Sequence, residues 1–258
     1  MRLSVGLGTD PGPREGVNQD SALAVLAPDR PDAALLIVAD GMGGHKSGER
    51  ASQQAVQIVY DHVLGQGLPT PADVRSRIRK AIQAANLAIH QQGRTSEALE
   101  GMGCTVVVAL IMGDQYWVAS VGDSRAYLVQ DRVIRQLTED HTWVNARVQE
   151  GLLTPDEAAI HSLRHVLDRA LGPEEEVEVD CSPPHTLEAG DVLVLCSDGL
   201  YDVVSERVVA WAAANHPAQE AAEVLIARAL DAPAHDNVTV AVLRAGEPEP
   251  AKRWPLDE

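Results

Sequence analysis

The chain has 258 residues, 45% of them hydrophobic and 23% charged, which suits one large globular domain with a buried core, or two small ones. Its formal net charge of -17 argues against a nucleic-acid or anionic-membrane partner. Phenylalanine is absent, so the core must be built from Val, Leu, Ile and Ala. No apolar run approaches the ~18 residues that span a bilayer, and Met1-Arg2-Leu3-Ser4-Val5-Gly6 has no secretory signal. Cys104, Cys181 and Cys196 are scattered, with no CxxC pair. They read as buried reduced thiols in a cytoplasmic protein.

In chain order, Leu3 to Thr9 alternates and then meets the turn cluster Asp10-Pro11-Gly12-Pro13, which predicts a strand and its stop. Arg14 to Asp20 reads as a polar loop and Ser21 to Ala27 as a second strand. The apolar run Ala33 to Ala39 predicts a buried third strand ending at Asp40. Short turns between these strands imply a mainly antiparallel sheet. Glu49 to Leu64 carries apolar residues at helical spacing. Thr70-Pro71-Ala72-Asp73 offers a cap, a proline and an acid, so a second helix should begin there and stop at Gly93.

From Gly103 the pattern predicts a meander of four antiparallel strands: Cys104 to Met112, Gln115 to Val121, Ala126 to Val129 and Arg132 to Leu137. The polar, interrupted stretch from Glu139 to Gly172 holds two short helices and reads as an excursion from the sheets beside the site. Strands follow at Glu176 to Cys181 and Asp191 to Ser197, helices at Ser205 to Ala214 and Ala218 to Leu230, and a last strand at Val238 to Leu243. Residues 1–245 are expected to form one domain, and 246–258 a disordered tail. Helices do not alternate with strands. The order therefore predicts an α+β fold: two stacked, mainly antiparallel sheets with helix pairs on the outside.

The chemistry centres on Asp40-Gly41-Met42-Gly43-Gly44-His45. Asp40 closes a buried strand, and the glycines after it leave backbone open to an ion. Asp123, Asp198 and Asp236 stand in similar places. Hard cations such as magnesium and manganese take oxygen ligands, and strand ends at one rim of a sandwich would gather Asp40, Asp198 and Asp236. Two ions about 3.5–4 Å apart can share a carboxylate and a water that ionises near neutral pH and becomes a nucleophile. An arginine fork would orient the phosphate oxygens, and Arg14 is the candidate. Each aspartate alone has a plainer reading: Asp114 and Asp191 as turn residues, Asp20 as a cap, Asp40 as a turn. The conjunction of motifs favours the metal site.

That conjunction resembles the metal-dependent protein serine/threonine phosphatases of the PPM (type 2C) family, in their short bacterial form. The matching pieces are Arg14 with Asn18-Gln19-Asp20, Asp40-Gly41-Met42-Gly43-Gly44-His45, Gly101-Met102-Gly103-Cys104-Thr105, Gly122-Asp123-Ser124-Arg125, Thr138-Glu139-Asp140-His141, Ser197-Asp198-Gly199-Leu200 and Asp236-Asn237-Val238-Thr239. The resemblance implies a four-layer α/β/β/α sandwich and hydrolysis of phosphoserine and phosphothreonine on proteins. It implies two manganese or magnesium ions bridged by Asp40. Asp198 and Asp236 would complete one of them. The Gly41 carbonyl, and Asp20 through water, would serve the other. Asp123 matches the ligand of a third ion and Arg14 the phosphate-binding arginine. Residues 140–165 would be a flap carrying substrate preference, with His141 and His161 as its candidate contacts. The expected partners are phosphorylated proteins, including a serine/threonine kinase and its substrates, and the expected state is a monomer. Rival readings keep the site but make the chain a dedicated phosphatase of one signalling partner, or a non-catalytic phosphoprotein-binding module. Met42 stands where animal members carry a histidine general acid. The leaving-group proton must then come from metal-bound water, His45 or His161.

Overall fold

The computed structural model describes residues 1–13, 17–43, 45–232 and 236–246, with backbone alone at His45, Lys46 and Ala98. Arg14, the His45 side chain and the tail from residue 247 lie outside the described residues. The chain opens with β1 (Leu3–Asp10), β2 (Asp20–Ala27) and β3 (Arg30–Met42), followed by α1 (His45–Val63) and α2 (Val74–Gly93). A single 3-10 turn at Glu97–Leu99 leads to β4 (Gly103–Cys104), β5 (Val106–Met112), β6 (Gln115–Val121), β7 (Arg125–Gln130) and β8 (Val133–Gln136). The excursion holds α3 (Trp143–Gln149) and α4 (Pro155–Ala159). Then come β9 (Asp180–Cys181), β10 (His185–Thr186), β11 (Val192–Cys196), α5 (Asp198–Tyr201), α6 (Glu206–Asn215), α7 (Ala218–Asp231) and β12 (Val238–Ala245).

These strands form two sheets, ordered β1-β12-β11-β7-β8 and β10-β6-β5-β3-β2, with β4 added to β3 and β9 to β6. Every recorded pairing is antiparallel. Side chains alternate across each strand, and here both faces are buried. Leu36 and Val38 of β3 point between the sheets to meet Leu193, Leu195 and Leu243. Their neighbours Leu35 and Ile37 point outward, onto Ala55, Val59, Ile78 and Ile82 of α1 and α2. On the other side, Val194, Val240 and Val242 lie under Val209, Ala213, Ala222 and Leu225 of α6 and α7. Three apolar layers thus separate four layers of structure. This double burial explains why the central strands read as unbroken apolar runs rather than alternating ones. It is the expected α/β/β/α sandwich.

Several expected boundaries shift for physical reasons. β3 continues past Asp40 to Met42 because Gly41 and Met42 pair with Cys104 and Gly103. α1 starts at His45, not Glu49, so Gly48 is helical. A Cβ on Gly41 would collide with the Gly48 carbonyl, so the pair of glycines lets the helix lie on the strand's end. Gly41 is accordingly buried, not open to solvent along its length. Residues 71–73 form a turn before α2, in which the Thr70 hydroxyl donates to Asp73 at 2.6 Å. The meander of four divides in two: β5 and β6 pair in one sheet, β7 and β8 in the other. The chain crosses between sheets at Gly122, whose φ of 99° lies where a side chain would strain the backbone. Of the strand expected over Glu176 to Cys181, only β9 forms. None of the described helices is long and apolar enough to cross a membrane.

Candidate active site

At one rim of the sandwich lies an open cavity of about 580 Å³, whose wall includes Asp40, Gly41, Asp123, Asp198 and Asp236. Different elements deliver these groups. Asp40 sits near the end of β3, directly opposite Asp20 at the start of β2. Asp123 rides on the crossing between the sheets, Asp198 begins α5, and Asp236 precedes β12. Asp20 is buried beside Asp40 and is not part of the cavity wall. Four of the five aspartates expected at strand ends or turns therefore share one cavity, and the fifth lies behind it. Asp198, expected to end a strand, instead opens the short helix α5.

Hydrogen bonds fix these carriers. The Asp40 backbone N–H donates to Thr105 Oγ1 at 3.0 Å, and the Thr105 N–H donates to the Asp40 carbonyl at 2.8 Å. The same Thr105 hydroxyl shares a hydrogen bond with the Ser124 hydroxyl, 2.6 Å away. One buried threonine thus joins the Asp40 strand to the Asp123 turn. Ser197 Oγ donates to Asp20 Oδ2 at 2.7 Å. Asn237 donates to the Pro11 carbonyl and accepts from the Gln19 N–H at 2.8 and 2.9 Å, so both ends of the loop bearing Arg14 are tied beside Asp236.

The electrostatics are those of crowded, buried anions. Burial, and then Asp20, Asp198, Asp123 and Asp236, push Asp40 well above the usual carboxylate range. Burial raises Asp20 to about 7, aided by Asp198 and Asp236 against bonds from Ser197 and Thr239. Burial, then Asp198 and Asp140, raise Asp123 to about 8. Burial, then Asp236 and Asp202, raise Asp198 to about 6. Among the described residues, the arginines nearest the cavity are committed elsewhere. Arg169 lines the cavity but donates to Asp180 at 3.1 Å. Arg125 forks onto Asp140 at 2.6–3.1 Å and stacks on the Tyr201 ring. Asp20 Oδ1 and Asp198 Oδ1 are buried without a hydrogen-bond partner. Such oxygens cost free energy unless something positive meets them, and a hard, all-oxygen donor set suits magnesium or manganese.

The flap residues separate. His141 is buried, with Nδ1 accepting from the Gly122 N–H at 3.0 Å. Its Nε2 therefore carries the proton and donates to Asp180 at 3.1 Å. Burial alone would raise Asp180, but the His141 and Arg169 contacts hold it below the usual carboxylate range. His141 thus braces the Asp123 turn from beneath, with neither ring nitrogen left for a substrate. His161 packs on the Trp143 ring, 5.3 Å between centroids, and does not line this cavity. The flap histidine at the cavity is His165, which no periodicity or motif marked. Met42 lines the cavity and has no proton to offer.

Comparison with known proteins agrees with this geometry. The family profile for protein phosphatase 2C matches residues 13–232. The serine/threonine phosphatase stp of Listeria monocytogenes is 39% identical over 208 residues, 80% of this chain and 82% of that protein. The crystal structure of the Mycobacterium tuberculosis serine/threonine phosphatase PstP/Ppp superposes with a TM-score of 0.85 at 36% identity, covering 96% of this chain and 100% of that one. A structure of the PstP catalytic domain in complex with two manganese ions gives 0.81 at 36% identity, covering 95% and 99%. With five aspartates gathered at one rim of an α/β/β/α sandwich and the family profile matching residues 13–232, the chain belongs to the PPM (type 2C) family of protein serine/threonine phosphatases.

Proposed function

We propose that this chain hydrolyses phosphoserine and phosphothreonine on proteins, using divalent ions held by Asp20, Asp40, the Gly41 carbonyl, Asp198 and Asp236, with a further ion at Asp123. Manganese or magnesium bound there would neutralise phosphoryl charge and ionise a water that serves as the nucleophile. The observation that carries this reading is the set of mutually destabilised carboxylates around one open cavity, two of them with orphaned buried oxygens.

The chain's own residues do the remaining work. Asp20 and Asp40, opposed across two strands, hold their oxygens in a fixed relation. Thr105 and Ser124 keep Asp40 in register with Asp123. Asn237 fixes both ends of the loop that carries Arg14, which supports Arg14 as the guanidinium that grips the phosphate oxygens. Met42 cannot protonate the leaving alkoxide, so we assign that proton to water in the cavity. Residues 1–245 form the catalytic unit in this reading. Its substrates are phosphorylated proteins, a serine/threonine kinase and its targets among them. Three buried free cysteines support a reducing, cytoplasmic setting.

The test is turnover of p-nitrophenyl phosphate and of phosphothreonine peptides by the purified chain with manganese. Asp40→Asn and Asp236→Asn should abolish turnover, and chelation should stop it reversibly. Activity that survives either substitution or the chelator sinks the reading. A phosphopeptide panel separates broad action from a dedicated signalling partner, since dedication requires turnover of one sequence alone.

A further inference from the structure

The catalytic cavity does not end at the flap. His165 lies on the wall it shares with a second cavity, of about 500 Å³, between the flap helices α3 and α4 and the end of α5. That volume falls within the range of about 300–1,000 Å³ usual for ligand pockets. One side of it is apolar: Val144 and Val148 of α3, and Pro155, Ala158 and Ala159 of α4. The polar groups beside them are spent on one another. Arg125 forks onto Asp140 and covers the Tyr201 ring, 3.6 Å from its centroid. Asn145 Nδ2 donates to the Asp140 carbonyl at 2.8 Å, and Thr142 Oγ1 accepts from the Asn145 N–H at 3.3 Å. The other charged groups of the wall include Arg164 and Asp202, whose signs are opposite, so neither sign of charge is selected. Ile160, Leu163 and Val166 are exposed, and each is next in sequence to a residue of this wall. An apolar side chain entering here releases water from both surfaces.

We propose that the second cavity is a subsite for an apolar side chain of the phosphoprotein, a few residues from the phosphorylated one. The proposal rests on the phosphatase reading, because a phosphate held in the catalytic cavity is what brings the rest of the segment past His165. Side chains on one face of an extended segment recur every ~6.6–6.8 Å, so the phosphorylated residue and a near neighbour can occupy the two cavities together. Leu, Met or Phe suits the apolar side of the subsite. Asp or Glu would give up its hydration there for a cation already balanced by a carboxylate. Binding energy gathered in the subsite is remote from the reacting atoms, so a small aryl phosphate does not draw on it.

Phosphothreonine peptides carrying Leu, Ala or Asp at each of the four positions on either side test this, with p-nitrophenyl phosphate as the reference substrate. In the manganese-loaded wild-type protein, Leu at one position should raise kcat/KM by roughly tenfold over Asp, as expected for burying much of one such side chain. Ala159→Trp fills the cavity from an exposed position. It should bring that ratio near one, chiefly through KM, and slow the Leu peptide more than p-nitrophenyl phosphate. Val148→Ser removes apolar surface without adding bulk and should cut the ratio by roughly threefold. Equal turnover of Leu and Asp peptides at every position, or a preference that both variants keep, overturns the subsite and leaves the phosphatase reading standing. Variants that slow peptides and p-nitrophenyl phosphate alike would show an effect on the flap's fold, and overturn it too. So would a change of sedimentation in Ala159→Trp with the preference intact, which would assign the cavity to a second copy of this chain. A wild-type chain that turns over neither substrate refutes both readings.

Discussion

Stripping divalent ions with a chelator leaves the buried aspartates to hold protons instead, and this makes stability depend on pH in a defined direction. In the folded chain Asp20 and Asp123 have been raised by burial and by neighbouring carboxylates from 3.8 to about 7 and about 8. An unfolded chain releases those protons near 3.8. The stabilising effect of the bound protons is complete below that value and is lost as pH rises to the folded values. Between pH 6.5 and 8.5 the two groups together cost the chelated fold about 3 kcal/mol, which lowers its melting temperature by roughly 6–12 °C for a chain of this size. Asp40, raised further, adds in the same direction. His185, held down by burial and then by Arg135, acts oppositely, but only below about 6.5, outside the window. Thermal melts at half-unit steps, with chelator or saturating manganese, measure the effect. Manganese held by the ionised carboxylates, as proposed, should abolish the decline and raise the melting temperature most at pH 8.5. A chelated protein whose melting temperature is flat or rises across the window would refute the electrostatic picture of the site.

Two substitutions probe how the carboxylates are held. Thr105→Val keeps the shape but strands the Asp40 N–H and the Ser124 hydroxyl in a buried place. Denaturant unfolding of the chelated protein should show a loss of about 1–3 kcal/mol, whereas an unchanged midpoint would mean that the hydroxyl is not the brace. Gly41→Ala drives a methyl into the Gly48 and Gln19 carbonyls, backbone atoms that cannot step aside. Manganese affinity by calorimetry should fall by at least tenfold, or about 1.4 kcal/mol, and binding that matches wild type would show that α1 and β3 can separate at no cost.

How much of this was legible in the residues follows from which interactions are local. Asp40, Asp123, Asp198 and Asp236 stand out because each sits against glycine or an apolar run, and their gathering follows from placing strand ends at one rim. The direct opposition of Asp20 and Asp40 was hidden, because it depends on the register of β2 against β3. The switch of sheets at Gly122 was hidden as well. A positive φ inside Gly-Asp-Ser-Arg looks like any hairpin turn, and only tertiary packing sends β7 away from β6. His141 seemed a flap contact because it follows Asp140 in a polar stretch, yet the chain turns it inward to accept from Gly122. His161 and His165 are four residues apart in a region without regular periodicity. Which of them reaches the cavity is decided by how the flap's turns lie over α5.

The pairing of β1 with β12 bears on how the protein is made. Leu3 lies opposite Ala245 and Asp10 opposite Val238, and among the described residues β1 has no other neighbour in its sheet. Within the sandwich, β1 waits for β12. Asp20 and Asp40 are ready early, but Asp236 and the Asn237 clamp arrive only with that closing strand. Contacts of such long sequence separation are slow to form, so the other aspartates of the rim are in place before Asp236 joins them. Closure of the sheet and assembly of the aspartate cluster are then one late event.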